Sequence, residues 1–434
     1  MIRSNGVAPA SRDTLLGGLS IDGARLWDAL AALGEIGAFD DERSGLRGVN
    51  RLALTDADAA GRRHVVAAMR ALDLELTVDR IGNVYGRRRG TDDALAPVMM
   101  GSHIDSVPTA GRFDGCLGVL GGLEVLRTLA DHGVVTRRPL VVAFFTDEEG
   151  ARFGTDMLGS AVAAGRLPLE AAYALADRAG LTVHGELERI GFLGTAPERL
   201  SPPHAYVECH IEQGPTLRQA GVDLGAVTGV QAISWHEVTI VGKSAHAGTT
   251  PMELRHDAGV ACAKINLGLR TLIASGRFGP GFRATMGAIV PHPGLVNIVP
   301  GRLVCTVDLR NPDDALMRAA EQAVLALYED VSRDEGVSVT WRQTARTNHV
   351  PFAEAIQARV TSAAAARGLS VRSLVSGAGH DAQELAHLCP AGMVFVPGEF
   401  DGISHNPREF STPEQCTNGV NVLLDVVLDL AAEA

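Results

Sequence analysis

Short apolar runs with a helical pattern between them constrain the fold of this chain more than any other feature of its sequence. Residues 97–101 (PVMMG) and 140–145 (LVVAFF) are continuously apolar, as expected of strands buried on both faces of a sheet. Between them, apolar residues recur at helical spacing from 119 to 129. A third short strand is expected at 205–211. This alternation predicts an α/β fold with a mainly parallel central sheet.

Histidines and carboxylates follow each of these runs. In open α/β sheets, sites form at the carboxyl ends of the strands, so we expect these side chains to lie close together. Histidine and carboxylate ligands without thiolates are typical of zinc, manganese or cobalt in hydrolytic sites. The candidate ligands are His103, Asp114, Glu149, His210 and His405.

Two further acidic residues are candidates for supporting roles at this edge of the sheet. Glu148 and Glu149 leave one strand end in different directions, so Glu149 can bind a metal ion while Glu148 acts as the general acid or base. Asp105 lies two residues after His103 and shares its face in extended backbone. We therefore expect its carboxylate to hold the second nitrogen of the imidazole.

Each motif also has a purely structural interpretation. Residues 146–149 (TDEE) have the pattern of a capping box, with acidic residues in the first turn of a helix. A single histidine at a strand end is more often a satisfied polar residue than a ligand. Residues 111–122 could form only a turn and a close-packed helix. The metal-site interpretation is favoured because every one of these motifs follows an apolar strand.

The composition argues against some classes of partner. The formal net charge is −12, whereas nucleic acids and anionic membrane surfaces require a basic face. The six cysteines are scattered without a Cys-x-x-Cys pair, as is typical of reduced thiols in a cytoplasmic protein. Residues 1–19 have the character of a disordered or loosely packed arm, without the apolar segment of a signal peptide. The longest apolar run is far shorter than the ~20 residues of a membrane span.

The hydrophobic pattern changes from about Gly225. Residues 233–241 alternate as in a half-exposed antiparallel strand, and a long helix and two further strands follow. From about Gln343 the chain returns to the first pattern. We therefore expect a catalytic domain built from 1–224 and 343–434, with a smaller α+β domain inserted at 225–342.

Eight segments from about residue 100 to 410 carry distinctive motifs. They are, in chain order, GSHIDSVPTAGRFDGCLGVLGGLEVL, FFTDEEGARFG, VECHIEQGPTL, SAHAGTTPMELRHDA, LVNIVPG, VDLRNP, SGAGHDAQELA and GISHNPREF. In this order they resemble segments of the dinuclear-metal amidohydrolases of the peptidase M20 superfamily, in the hydantoinase/carbamoylase branch. The combination of HIEQGP with HAGTTPM is specific to this branch, and related aminoacylases and dipeptidases lack it.

The resemblance implies two divalent metal ions per subunit, either zinc or manganese, cobalt or nickel. It implies that His103 and His210 bind one ion, that Glu149 and His405 bind the other, and that Asp114 bridges them. Glu148 takes the role of general acid and base.

The resemblance also implies roles for the inserted domain, which in this family forms a homodimer and closes over the substrate. His246 is expected to polarise the scissile carbonyl of a substrate in the neighbouring subunit. The residues implied in substrate binding are Gln213, His246, Asn297, Arg310 and, through its backbone, Gly379. Taken alone, Arg310 would be interpreted as part of a surface salt bridge. His380 either contacts the substrate or belongs to a helix-capping turn.

The implied reaction is hydrolysis of the carbamoyl C–N bond of a small-molecule ureido acid, most directly an N-carbamoyl-L-amino acid. Allantoate and N-carbamoyl-β-alanine are alternatives, because each presents a carboxylate and a ureido group to the same residues. A catalytically silent binding protein of the same fold is an alternative from another class. It predicts a broken metal set, whereas all five candidate ligands and Glu148 are present.

Overall fold

The computed structural model describes residues 18–433, which form two compact units. The first contains the chain up to Gly229 and from Pro351 onward, and the second is Val230–Val350. The arm predicted at 1–19 lies outside the described residues except for its last two positions. Within the described range, no helix is long and apolar enough to cross a membrane.

The strands are β1 (Ala38–Asp40), β2 (Arg47–Val49), β3 (Glu75–Val78), β4 (Val84–Arg88), β5 (Val98–His103), β6 (Leu140–Phe145), β7 (Ala205–Ile211), β8 (Leu224–Val230), β9 (Ala232–Val241), β10 (Ala245–His246), β11 (Arg283–His292), β12 (Ile298–Val299), β13 (Arg302–Asn311), β14 (Ser338–Thr347), β15 (Val350–Pro351), β16 (Val371–Ser376) and β17 (Ala391–Val396). The helices are α1 (Gly23–Gly34), α2 (Asp56–Arg70), α3 (Cys116–Asp131), α4 (Leu158–Ala163), α5 (Leu169–Tyr173), α6 (Val183–Ile190), α7 (Thr216–Ala220), α8 (Ala258–Ala274), α9 (Asp314–Glu335), α10 (Glu354–Ala366), α11 (Asp381–Leu385) and α12 (Pro413–Ala431), with 3₁₀ turns at Met252–Leu254 and Phe400–Gly402.

The first unit is built on a mixed sheet in the strand order β15-β8-β17-β7-β5-β6-β4-β3, with β16 beside β8. Its centre is parallel: β17 pairs with β7, β7 with β5, and β5 with β6. The residues of these four strands are all buried, as expected for a sheet covered on both faces. The predicted α/β fold with a mainly parallel sheet is therefore confirmed.

Helices α3 and α12 pack against this sheet and against each other. Helix α3 is apolar on nearly its whole circumference and is buried accordingly. A Cβ at Gly118 would lie 2.7 Å from the carbonyl oxygen of Gly101, so a glycine allows α3 to approach β5 closely. Helix α12 begins with a capping box, in which the Thr412 and Gln415 side chains bond each other's backbone N–H.

The second unit contains a four-stranded antiparallel sheet in the order β11-β13-β9-β14. Strand β9 alternates between buried and partly exposed residues over most of its length, as its sequence predicts. The buried residues of the sheet form one apolar cluster with residues of α8 and α9. The Asp257 side chain caps α8 by accepting from the N–H groups of Gly259 and Val260.

The junctions between the units lie further along the chain than the expected boundaries at 224/225 and 342/343. Strand β8 pairs with β17 and so belongs to the sheet of the first unit, up to Gly229. Strand β14 pairs with β9 as far as Thr347, which keeps this stretch in the second unit. Strand pairing, which the local hydrophobic pattern does not show, determines both junctions.

Candidate metal centre

Three parallel strands bring the predicted ligands of the first unit to one edge of the sheet. His103 ends β5 and pairs with Phe145, the last residue of β6. His210 is the second-last residue of β7, which is parallel to β5. Glu148 and Glu149 lie in the loop that follows β6, after Thr146 and Asp147. The carboxyl ends of these strands therefore meet, as the sequence predicts.

Gly115 fixes the path of the chain between His103 and Asp114. Its φ is 66°, a left-handed conformation that glycine adopts without strain. A Cβ at this position would lie 2.5 Å from three atoms of the His103 ring. The glycine therefore allows the Asp114 turn to pack directly on the imidazole.

Asp114 connects two groups of potential metal ligands. Its Oδ1 lies 3.6 Å from Nε2 of His103 and 3.2 Å from Nε2 of His210. Its Oδ2 lies 3.4 Å from Nε2 of His405, which is in turn 3.2 Å from Oε2 of Glu149. We call His103, Asp114 and His210 the first triad, and Asp114, Glu149 and His405 the second triad. In each triad the ligand atoms lie within 4.8 Å of one another. The structure thus brings together all five predicted ligands, and the two triads share only Asp114.

Hydrogen bonds orient the two buried imidazoles. Nδ1 of His103 lies 3.0 Å from the carbonyl oxygen of Asp105, and Nδ1 of His210 lies 2.8 Å from that of Ile211. A carbonyl oxygen can only accept, so Nδ1 carries the proton in both rings. In the neutral rings the Nε2 lone pairs therefore face Asp114, and Nε2 of His210 accepts from the N–H of Gly115 at 3.1 Å. Both tautomers are the ones that a metal ligand requires.

The carboxylate of Asp105 does not take the expected place beside His103. Its Oδ1 is 3.7 Å from Nδ1 of His103, which bonds the backbone carbonyl of Asp105 instead. The two carboxylate oxygens accept the N–H groups of Glu148 and Glu149, each at 3.3 Å. Asp105 thus holds the imidazole with its backbone and the two glutamates with its side chain.

The segment after β6 is a loop, so its interpretation as a helix-capping box is wrong. The next helix, α4, begins only at Leu158. Asp147 has a φ of 53°, in the left-handed region that aspartate tolerates better than most residues. This turn sends Glu148 and Glu149 in different directions. Oε2 of Glu148 lies 3.3 Å from Nε2 of His103, while Oε2 of Glu149 faces His405.

The charges of the site favour a cation. Burial acts to lower the pKa of His103, His210 and His405, but the surrounding carboxylates outweigh it and raise all three. For His405, contacts with Asp114 and Glu149 raise the pKa to about 11. Oε1 of Glu149 is buried and has no hydrogen-bond partner among the described residues. A potential that attracts protons this strongly also attracts metal ions, so the donor set fits divalent cations that prefer nitrogen and oxygen.

Burial also dominates the protonation of Glu148. The side chain is 9% exposed, and burial raises the pKa of its carboxyl well above the usual value. The neighbouring carboxylates of Asp381, Glu149 and Asp114 act in the same direction, whereas His103 opposes them. A raised pKa is what a group that receives and returns a proton near neutral pH requires.

Three other residues singled out in the sequence lie in the first unit. Nε2 of Gln213 donates to Oδ2 of Asp114 at 2.7 Å, while its Oε1 is buried without a partner among the described residues. Gly379 is partly exposed, and a Cβ there would touch the Met157 side chain at 3.2 Å. His380 is buried at the N-terminus of α11, its ring 4.5 Å from that of His210.

Cys116 and Cys209 are buried free thiols, as expected of packing residues.

The remaining predicted substrate residues lie in the second unit. His246 is exposed in β10, and its neighbour Ala247 donates its N–H to the carbonyl oxygen of Asn297 at 3.0 Å. Asn297 itself is exposed. Nε and Nη2 of Arg310 bond the carboxylate of Asp308 at 3.0 Å, so Arg310 forms the salt bridge that its sequence context alone suggests.

Two residues of the site escaped the sequence analysis. Ser404 and Glu409 both contact the Asp114 segment. Their signal in the sequence was their closeness to His405, within the segment GISHNPREF. Polar residues near a ligand are common, however, and no spacing rule selects these two.

The chain matches a known family of hydrolases. The family model for peptidase family M20/M25/M40 matches residues 99–429, and the chain belongs to this family. Within it, the chain is similar to the N-carbamoyl-L-amino-acid amidohydrolase of Rhizobium meliloti, at 39% identity over 95% of this chain and 97% of that protein. It is also similar to the allantoate amidohydrolase of Bacillus subtilis (strain 168), at 33% identity over 88% of this chain and 93% of that protein.

A solved structure places the chain in the same branch. The amidase of the hydantoinase/carbamoylase family from Burkholderia vietnamiensis matches with a TM-score of 0.90 and 43% identity, over 95% of this chain and 98% of that one. The resemblance to the hydantoinase/carbamoylase branch that the sequence motifs show is therefore confirmed. So is the expected class, a hydrolase acting on C–N bonds.

Proposed function

We propose that this protein hydrolyses the carbamoyl C–N bond of an N-carbamoyl-L-amino acid and releases the amino acid, ammonia and carbon dioxide. The observation that carries the proposal is the pair of triads joined through the two oxygens of Asp114. Relatives that are similar over nearly the whole chain include an N-carbamoyl-L-amino-acid amidohydrolase. The triads supply the hydrolytic site, and the relatives indicate the bond that it cleaves.

Two divalent metal ions, zinc or else manganese, cobalt or nickel, are proposed to occupy the triads. His103 and His210 would hold one ion, Glu149 and His405 the other, and Asp114 both, with one oxygen directed to each triad. Bound ions of this kind lower the pKa of a water molecule and polarise a carbonyl oxygen. The intact set of six residues, including Glu148, argues against a catalytically silent binding protein.

Glu148 is proposed to move the proton. Its Oε2 accepts a proton from the water that attacks the carbamoyl carbon and delivers it to the nitrogen that leaves as the C–N bond breaks. Water thus supplies the oxygen that joins the carbon and the proton that joins the nitrogen. The other product of this step is a carbamic acid, which decarboxylates with breakage of its remaining C–N bond, so that the amino acid, ammonia and carbon dioxide result. Asp105 supports this role because it fixes the backbone of Glu148 through the 3.3 Å hydrogen bond to its N–H.

His246 is proposed to polarise the carbamoyl oxygen. Its Nδ1 accepts the N–H groups of Gly248 and Thr249, at 3.1 and 3.2 Å. The proton of the neutral ring is therefore on Nε2, which remains as an exposed donor. Such a donor to a developing oxyanion contributes about 3–4 kcal/mol in well-studied hydrolases.

The carboxylate and ureido groups of the substrate are proposed to bind Gln213, Asn297, Arg310 and the backbone of Gly379. Arg310 presents a planar guanidinium that suits bidentate contact with a carboxylate. Its present partner, Asp308, is only partly buried, so exchange for a substrate carboxylate carries a small desolvation cost.

A substrate panel tests the proposed reaction. The metal-loaded protein is assayed with N-carbamoyl-L- and D-amino acids, N-carbamoyl-β-alanine, allantoate and dipeptides. We expect the N-carbamoyl-L-amino acids to give the highest kcat/KM. Higher kcat/KM for allantoate or N-carbamoyl-β-alanine would change the substrate within the same chemistry, whereas faster cleavage of dipeptides would contradict the proposal.

The second unit is further proposed to form a homodimer and to carry His246 to the site of the neighbouring subunit. Two inactive variants, His246→Ala and Glu148→Gln, are co-expressed with different tags and the heterodimer is purified. One of its two sites then has both residues intact, so partial recovery of activity is expected. An inactive heterodimer would show that each site takes both residues from one chain.

A further inference from the structure

A buried glutamate outside the ligand set joins the two segments that supply Asp114 and His405. The side chain of Glu409 is almost fully buried, with the residue 4% exposed. Its Oε1 accepts the backbone N–H groups of Phe113 at 3.0 Å and Asp114 at 3.2 Å. Glu409, which lies close to His405 in the chain, thus holds the ligand Asp114 through the backbone N–H of Asp114.

Ser404 forms a second link between the same segments. Its hydroxyl lies 2.6 Å from Oε2 of Glu409 and 2.9 Å from Oδ2 of Asp114. The hydroxyl therefore connects Glu409 to the oxygen of Asp114 that faces His405. The backbone carbonyl of His405 is itself held by the hydroxyl of Thr109, at 3.2 Å.

Packing around these polar links leaves Glu409 little freedom. The rings of Phe113 and Phe410, the neighbours of Asp114 and Glu409, meet edge to face with centroids 5.8 Å apart. Trp27 packs against both rings. A Cβ at Gly111 would lie 2.5 Å from Cβ of Glu409, so this position requires the small residue that the chain has.

We propose that Glu409 is a positioning residue that sets the geometry of the second triad, Asp114, Glu149 and His405. The inference rests on the proposed dinuclear centre. His103 and His210 are carried by β5 and β7 in the middle of the sheet, so strand pairing holds these two of the three ligands of the first triad without Glu409, and only the shared Asp114 depends on it there. His405 lies in a segment between β17 and α12, whose position relative to Asp114 depends on Glu409 and Ser404.

Metal titration of the metal-free protein tests this inference without an activity assay. Wild-type protein, Glu409→Ala and Glu409→Gln are titrated with CoCl₂ and followed by calorimetry and by the visible absorption of bound cobalt. Glu149→Ala, which removes a ligand of the second triad only, identifies the signal of that triad. Arg408→Ala, a change at the exposed neighbouring residue, is the matched control.

We expect Glu409→Ala to weaken binding at the second triad by about 10- to 100-fold, the range typical for residues that orient metal ligands. Binding at the first triad should weaken much less, because only one of its three ligands, Asp114, is held by Glu409, and Arg408→Ala should match wild type at both. Glu409→Gln should recover most of the affinity, because its amide oxygen still accepts the N–H groups of Phe113 and Asp114.

Other outcomes separate this inference from the proposed function. Unchanged binding at both triads in Glu409→Ala, or equal weakening at both, would overturn the positioning role. Wild-type protein that binds fewer than two cobalt ions would instead contradict the dinuclear centre. If Glu409→Ala does not fold, Ser404→Ala takes its place: selective weakening at the second triad supports the role, and wild-type affinity there overturns it.

Discussion

Nε2 of Gln213 donates a 2.7 Å hydrogen bond to Oδ2 of Asp114. A residue implied in substrate binding thus contacts the residue proposed to bridge two metal ions. The other end of the amide, Oε1, is buried without a partner among the described residues. An unpaired buried acceptor costs free energy, and a substrate ureido N–H would supply the missing donor.

We therefore expect Gln213→Ala to act on substrate affinity. Loss of a hydrogen bond to the substrate should raise KM for an N-carbamoyl-L-amino acid about two- to tenfold, since a hydrogen bond between neutral groups contributes about 0.5–1.5 kcal/mol. Metal content should be unchanged, because all five ligands remain. Steady-state kinetics and elemental analysis check both points, with exposed Gln219→Ala as control. Loss of metal with an unchanged KM would assign Gln213 to the metal centre alone.

The shared position of Asp114 predicts different metal contents for two ligand variants. Glu149→Ala removes one ligand of the second triad and leaves His103, His210 and Asp114 in place, so about one ion per chain should remain. Asp114→Ala removes a ligand from both triads and should lower the content well below one. Elemental analysis after dialysis measures this. Equal contents in the two variants would show that Asp114 is not shared.

Glu148→Gln separates proton transfer from metal binding. The amide has nearly the same shape as the carboxyl group but cannot accept the proton of the attacking water. We expect kcat to fall about 10²- to 10⁴-fold, with metal content and Tm close to wild type. The matched control is Glu188→Gln on the exposed face of α6. Turnover within a few-fold of wild type would assign proton transfer to another group.

Asp79 predicts a pH dependence of stability away from the metal centre. The residue is 1% exposed, and burial raises the pKa of its carboxyl to about 7, despite hydrogen bonds from Asn83 and Tyr85. In the unfolded chain the group titrates near 3.8. Between these values the folded protein keeps a proton that the unfolded chain has lost, so Asp79 destabilises the fold increasingly as pH rises, by up to about 1.4 kcal/mol per pH unit.

Asp79→Asn removes this titration. At about pH 4.5, the Tm of the variant should fall furthest below that of wild type. As the pH rises to 8, wild type loses stability through Asp79, so the difference in Tm should shift in favour of the variant. Thermal unfolding of both proteins across this range measures the difference. A difference in Tm that stays constant with pH would show that Asp79 titrates alike in the folded and unfolded states.

Most of the first unit and the identity of the candidate ligands could be predicted from the sequence. Strands such as 140–145 were recognisable because a strand buried on both faces must be apolar throughout. Parallel strands end at the same edge of a sheet, so the residues after each run could be assigned to one site.

What local patterns could not show were contacts between segments distant in the chain. The pattern at Thr146 satisfies a capping box, yet the left-handed turn at Asp147 produces a loop. The carboxylate of Asp105 was assigned to the nearby imidazole, but it bonds the N–H groups of Glu148 and Glu149, on a different strand end. Which donor a carboxylate meets depends on how the strands pair and stagger.

The sequence by itself determined the strands, the helices between them, the residue types of the hydrolytic site and the family. These follow from hydrophobic periodicity and from motifs that are contiguous in the chain. The tertiary structure alone decided that the two oxygens of Asp114 face different histidines and that Glu409 holds the Asp114 turn, across nearly three hundred residues of chain. Such relationships arise only on folding, because close packing of the sheet and helices brings distant segments within hydrogen-bond distance.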